Sequence, residues 1–375
     1  MKQIVARTLP ALALAAFAVA PALAADLPLD KITLPEGFSI SVYANDVPGA
    51  RSMALGDKGT LFVGSQRAGN VYAISDTDGD HKADKTVVVA KDLWWPNGVA
   101  FKDGALYVAE INRIVKFEDI ENKLDAPPEP VVVIDTLPEE QMHGWKYLNF
   151  GPDGKLYFNI GMPCNDCDAA TEQNNPLFGT LQRVNTDGTG LETFALGVRN
   201  SLGFDWHPAS KDLYFNDTGR DLMGDDVPQC ELNRATAQGQ HFGYPYFHGG
   251  DLADAVYGAG KKADDYVKPI QQQGPHVTPL GLKFYTGDQF PAEYKNRIFI
   301  AQHGSWNRTI KIGYCIKQVT LDEAGNAASY EDFATGWLDR QEFWGRPVDV
   351  RVAQDGALLV SDDFANAIYR IAYTG

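Results

Sequence analysis

Apolar residues along this chain come in short runs with one recurring layout. An apolar stretch leads into a tight turn carrying Asp or Gly, and a second stretch follows, often ending in an aromatic. The layout reads Met53-Ala-Leu-Gly-Asp-Lys-Gly-Thr-Leu-Phe-Val63 and returns from Val99 to Val108, Leu148 to Phe158 and Leu202 to Phe215. A longer copy runs from Leu280 to Ile300, and the sixth from Val348 to Val360. Asp-Gly between alternating apolar residues predicts a hairpin, because the turn needs positive φ and glycine adopts it at little cost. A third strand such as Gly69 to Ile74 or Asn366 to Ile371 follows most copies. Six repeats of three or four strands predict an all-β, six-bladed β-propeller, in which stacked sheets bury what no single sheet can. Ser39 to Ala44 precedes the first hairpin and is expected to pair into the last blade and close the ring. The spacing lengthens after the fourth copy (Leu202 to Leu280, against Val99 to Leu148), which predicts long loops over one end. Loops of that kind commonly carry function.

Composition supports a turn-rich globular protein: 36 Gly and 21 Pro, 44% hydrophobic and 22% charged residues. A net charge of −16 without a basic run argues against nucleic acid or an anionic membrane as partner. Residues 1–24 read as a signal peptide: Lys2 and Arg7, an apolar stretch, then Ala22-Leu23-Ala24 as a cleavage site. Pro10 and Pro21 interrupt that stretch, which argues against a membrane anchor, and no other segment has the ~20 apolar residues a span requires. Its removal takes away two cations and no acid, moving the charge from −16 to −18. The expected product is one propeller domain over 25–375, exported to a bacterial periplasm and not inserted in the membrane.

Three of the loops that precede hairpins carry candidate chemistry. His143 stands before the third, Arg199-Asn200 before the fourth and Arg346 before the sixth. Equivalent positions in successive blades point to equivalent places around the axis, so these residues are expected to share one pocket. A histidine among arginines in an otherwise acidic protein suits a polyanionic ligand beside a general base.

Several segments extend this set: His143-Gly-Trp with Phe150-Gly-Pro-Asp-Gly-Lys-Leu-Tyr, Leu196-Gly-Val-Arg-Asn-Ser-Leu-Gly-Phe, Asp217-Thr-Gly-Arg-Asp with Glu231-Leu-Asn, His303-Gly-Ser-Trp-Asn-Arg308, and Gly345-Arg-Pro-Val-Asp-Val350. In these the chain resembles the soluble sugar dehydrogenases that use pyrroloquinoline quinone (PQQ), closest to their sorbosone or pyranose dehydrogenase branch. The resemblance implies oxidation of an aldose or sugar aldehyde to a lactone, with electrons passed on to a quinone or cytochrome. It implies His143 as general base and Arg199, Arg308 and Arg346 as partners of the cofactor carboxylates. Asn200 would add a neutral hydrogen bond and Trp306 a cover over the ring. It further implies Ca²⁺ on the backbone carbonyls of Gly219 and Arg220, as a Lewis acid. Glucose-oxidising members carry acids where this chain has Met142 and Met162, so their sugar preference does not transfer. Trp94, Trp95 and Asn97 are placed near the mouth or in the core.

Two other readings share the fold. A Ca²⁺-dependent lactonase or esterase would need side-chain carboxylates and Asn converging on an axial metal. A binding propeller would need no cofactor. Asp76-Thr-Asp78-Gly-Asp80-His-Lys-Ala-Asp84 spaces carboxylates as calcium loops do but lacks the distal Glu of an EF-hand, so it reads as a solvated turn or a separate Ca²⁺ site. Cys164-Asn-Asp-Cys167 is followed by Asp168 and not His, which excludes a c-type haem motif; in an oxidising compartment it reads as a local disulfide. Cys230 and Cys315 are left to bridge each other or remain buried thiols.

Overall fold

The computed structural model describes residues 27–375; the signal-peptide reading of residues 1–24 lies outside the described residues. The six sequence hairpins form as anticipated. In the second, Lys102 pairs with Ala105 across the two residues Asp103 and Gly104, whose φ values of 52° and 78° give the left-handed pair that a right-twisted hairpin requires. Each hairpin gains a third and a fourth antiparallel strand, giving six blades whose outer strands run along the rim; the third blade is extended by the short parallel strand Gln240–His241. The second strand of each blade lies in the middle of its sheet. Leu156–Ile160, Leu213–Asp217, Ile298–Gln302 and Leu358–Asp362 are buried along their whole length. This is why these runs show no apolar–polar alternation in sequence: both faces press on a neighbouring blade. Outer strands such as Lys85–Ala90 are half exposed.

The core divides accordingly. Ala54 and Phe62 of the first blade pack on Val99 and Val108 of the second; Tyr107 and Ile114 of the second pack on Leu156 and Phe158 of the third. Tyr157 and Leu181 then meet Phe204 and Phe215, and Tyr214 and Leu232 meet Phe284 and Ile298. Phe299 and Phe333 meet Val360 and Tyr369, and Leu359 and Ile368 return to Met53 and Leu61. Each interface removes several large apolar side chains from water, at roughly 1.5–3 kcal/mol apiece.

Closure follows the expectation for the first strand. Phe38–Ala44 pairs antiparallel with Ala367–Tyr373, with Ile40 opposite Ile371 and Val42 opposite Tyr369, so the last blade is built from both ends of the ring. Phe38 sits edge-on to four rings, Phe290, Tyr294, Phe333 and Tyr373. Cys164 and Cys167 form the local disulfide, while Cys230 and Cys315 remain separate buried thiols, pushed up by burial to about 11 and about 12. No helix among the described residues is long and apolar enough to cross a membrane. The Asp76, Asp78 and Asp84 carboxylates cluster beside the 353–357 turn, where Asp84 accepts from the Thr77 amide and hydroxyl.

Candidate active site

In an antiparallel blade the start of the first strand and the end of the second lie at one end of the sheet. The loops leading to Leu148, Phe204, Pro279 and Pro347 therefore meet those that leave Asp217 and Gln302. A cavity of about 580 Å³ opens among them, lined by His143, Arg199, Asn200, Trp306 and Arg346. Five of the eight residues singled out in the sequence thus share one pocket.

His143 adopts φ 54°, a left-handed conformation that a side chain holds only where its surroundings enforce it. Gly161 shows how tight those surroundings are: a Cβ there would lie 2.7 Å from the His143 Cβ and 3.0 Å from Asn200 Oδ1. The imidazole Nδ1 lies 2.7 Å from the Met162 carbonyl. A carbonyl only accepts, so Nδ1 carries the proton and Nε2 keeps its lone pair. Burial, reinforced by the Arg199 charge, lowers His143 to about 3, against the smaller opposing effect of the Met162 carbonyl. The ring is neutral at any ordinary pH.

Arg199 is 2% exposed and faces carbonyls rather than carboxylates: Nε donates to Asn165 O (3.1 Å), and Nη1 to Thr218 O (3.1 Å) and Gly219 O (3.0 Å). Nη2 donates to Asn165 Oδ1 at 2.9 Å, with Asp221 at 3.5 Å. Behind it, Asp217 accepts from the amides of Arg199 (2.8 Å) and Asn200 (2.7 Å), fixing the loop backbone. The sixth blade repeats the device: Asp362 accepts from the Arg346 amide at 2.9 Å. Burial pushes both carboxyls up to about 6. The Arg346 side chain extends from there to Asp363, 2.8 Å from its Nε.

Polar groups in the cavity wall remain without partners. Asn200 Oδ1, Thr218 Oγ1 and Trp145 Nε1 are buried and unpaired among the described residues. Such atoms are costly unless a ligand satisfies them. Oxygen acceptors at Asn200, Thr218, Gly219 and Asp221 suit a hard cation, and the guanidinium groups of Arg199 and Arg346 suit a polycarboxylate.

One sequence candidate sits elsewhere, and two lie in the backbone beside the cavity. Arg308 turns out of the cavity: its Nε donates to Ile310 O at 3.0 Å and its Nη1 to the Asp225 carbonyl, with Asp226 at 3.4 Å, so it ties two loops together. The acidic 225–226 loop draws it there, and Lys311, three residues on, is the cation from this blade that lines the cavity. Gly219 and Arg220 lie between the lining residues Thr218 and Asp221. The Gly219 carbonyl is taken by Arg199, and the Arg220 guanidinium bridges Asp166 (2.6 Å) and Asp254 (2.7 Å). Asn165, Thr218, Asp221, Lys311 and Asp363 were missed. Asp363 had only an indirect signal: it follows Asp362, and the second strands of the fourth and sixth blades both end in Asp, at Asp217 and Asp362. Asn165 had none beyond its place inside the Cys164–Cys167 loop.

The chain is similar to several known proteins. It is 33% identical over 357 residues to an uncharacterized protein of Borreliella burgdorferi, covering 91% of each chain. Among solved structures it superposes on a Trichoderma reesei member of Carbohydrate-Active Enzymes Family AA12, with TM-score 0.79 and 18% identity over 91% of this chain and 97% of that one. It also superposes on the PQQ domain of pyranose dehydrogenase from Coprinopsis cinerea, with TM-score 0.77 and 16% identity over the same shares. At such identities these structures establish the shared propeller fold. Residues 25–370 match the family described as a domain of unknown function, DUF7133, and the chain belongs to that family.

Proposed function

We propose that this protein is a PQQ- and Ca²⁺-dependent dehydrogenase that oxidises an aldose or related sugar aldehyde. The observation that carries this reading is the convergence of His143, Arg199, Asn200 and Arg346 on one cavity whose wall holds buried polar atoms without partners. The neighbouring folds support it, since one is a holo PQQ domain and another, from Streptomyces coelicolor, is a PQQ-bound aldose sugar dehydrogenase (TM-score 0.66, 18% identity, covering 91% of this chain and 99% of that one).

When bound, PQQ supplies a two-electron ortho-quinone acceptor for the anomeric hydride, and Ca²⁺ a Lewis acid beside it. Arg199 and Arg346 would hold its carboxylates, with Asn200 as a neutral donor. Trp306, 69% exposed at the mouth, would cover the ring and keep water from it. Gly219 and Arg220 would offer their carbonyls to the ion; the Gly219 carbonyl comes free once Arg199 turns to a carboxylate. His143 Nε2 would take the hydroxyl proton of the cyclic sugar, so the substrate loses one hydride and one proton and leaves as a lactone. An axial lactonase site would need several side-chain carboxylates, whereas Asp221 alone lines this cavity. We further propose export to the periplasm with cleavage after Ala24, and a quinone or cytochrome as final acceptor.

The test is to titrate the apo-protein with PQQ and Ca²⁺ and to follow dye reduction with a panel of aldoses. Saturable PQQ binding is expected, weakened roughly tenfold or more in Arg199→Ala. His143→Ala should keep the binding and lose turnover by about 10² or more. An apo-protein that takes up no PQQ overturns the assignment.

A further inference from the structure

Next to the candidate active site lies a second chamber of about 610 Å³. The two share Met142, Trp145 and Arg346 among their lining residues, so the second adjoins the first as a neighbouring bay. Its lining is unusual for a chain of net charge −16: three arginines, Arg51, Arg67 and Arg346, and no carboxylate.

The three arginines are not equivalent. Arg51 is buried and engaged, through its Nη1 to Asp363 (2.8 Å) and its Nε to Asn97 (2.7 Å). Arg346 shares Asp363 and belongs to the cofactor cage under the reading above. Burial alone would raise the Asp363 carboxyl, but His303, Arg51 and Arg346 around it hold it far below the usual range, so its one charge is already spoken for. Arg67 has no carboxylate within 4 Å among the described residues. Its guanidinium lies 5.6 Å from the centroid of the Trp95 ring, exposed and free to meet an anion.

A path of aromatic surface leads from the proton acceptor to that cation. The His143 and Trp145 rings are 6.4 Å apart, and Trp145 and Trp95 are 6.0 Å apart. Trp95 is held at φ 53°, another non-glycine residue kept left-handed beside the site. Indole faces are the usual platforms for the C–H faces of sugar rings, and the buried Trp145 Nε1 still needs an acceptor such as a hydroxyl.

We propose that this bay is the substrate subsite and that it selects an anionic saccharide. The sugar is oxidised at its reducing carbon next to His143, lies along Trp145 and Trp95, and presents a uronate carboxylate to Arg67. The proposal rests on the dehydrogenase reading for the chemistry but not for the binding.

The experiment separates the two. Apo-protein is titrated calorimetrically with D-glucuronate against D-glucose, and with digalacturonate against cellobiose. Dye reduction by the reconstituted enzyme is then measured on the same four sugars. In at least one pair the anionic member should bind about tenfold more tightly. That preference should shrink as NaCl is raised, disappear in Arg67→Met and survive in part in Arg67→Lys, with the neutral sugar unchanged throughout. Arg67 is exposed and outside the core, so the variants should fold as the parent does. Equal binding of both members in both pairs, binding of neither, or a preference indifferent to Arg67→Met overturns the proposal. Selective binding of the acid without dye reduction overturns the dehydrogenase reading and leaves the subsite standing.

Discussion

Glu231 shows what burial of single groups does to this site's surroundings. It pairs across the fourth blade with Asp217, the residue that fixes the Arg199-Asn200 backbone. Burial first, and then the Asp217 charge, push its carboxyl up to about 8 from an ordinary 4.5. The folded protein thus keeps a proton that the unfolded chain releases, and this contribution to stability is full below about pH 4.5 and lost as pH rises towards 8. Glu231→Gln, which cannot ionise, should melt several degrees higher than the parent at pH 8 and within a degree or two of it at pH 5, as read by thermal denaturation across pH. His143 works in the opposite sense: its folded form resists protonation down to about 3, so acid below about 6.5 favours the unfolded chain. Single residues were unevenly legible in the sequence. His143, Arg199 and Arg346 could be found because the repeat puts them in register before successive hairpins. Arg308 could not be assigned rightly, because its partners at Asp225 and Asp226 lie in a loop of another blade whose path no periodicity describes.

The short loop closed by Cys164 and Cys167 ties the third blade to the fourth. Asn165 within it accepts two hydrogen bonds from the Arg199 guanidinium, accepts the Asp221 amide (2.7 Å) and donates to the Asp221 carbonyl (3.0 Å). Asp166 pairs with Arg220, and the Cys167 amide donates to the Tyr244 hydroxyl at 3.3 Å. The loop leaves the third blade and grips the end of a strand of the fourth, so it positions Arg199 and the 218–221 segment together. Opening it, in a Cys164→Ser, Cys167→Ser variant or with a dithiol reductant, should speed hydrogen exchange at 218–221 in the apo-protein. PQQ affinity should fall severalfold while the remaining blades keep their protection. Unchanged exchange at 218–221 would show that the grip survives without the covalent link. The disulfide itself was readable from the spacing of the two cysteines. The grip was not, since Asn165 and Arg199 stand 34 residues apart on different blades.

Across the whole molecule the legible part is what repeats. Hairpins with Asp or Gly in the turn and double-sided apolar strands recur six times because each blade solves the same burial problem, and that recurrence fixes both fold and blade count. The fourth strands and cross-blade loops obey no common pattern and emerge only with the structure. The closing strand is the long-range feature that could be read, from an apolar run with no blade of its own. Phe38 is its anchor, and Phe38→Ala should cost about 2 kcal/mol, below the range for a fully buried phenylalanine because its ring is partly exposed. Chemical denaturation would measure this, together with an unchanged dependence on denaturant if the ring remains closed. The pairing of 38–44 with 367–373 also sets an order of events in the cell. Phe38–Ala44 emerges long before its partner and waits, unmatched and hydrophobic, for Ala367–Tyr373. A product cut short before Ala367 would therefore be left as an open arc with two sticky edges, and quality control could detect incompleteness by that exposed seam alone.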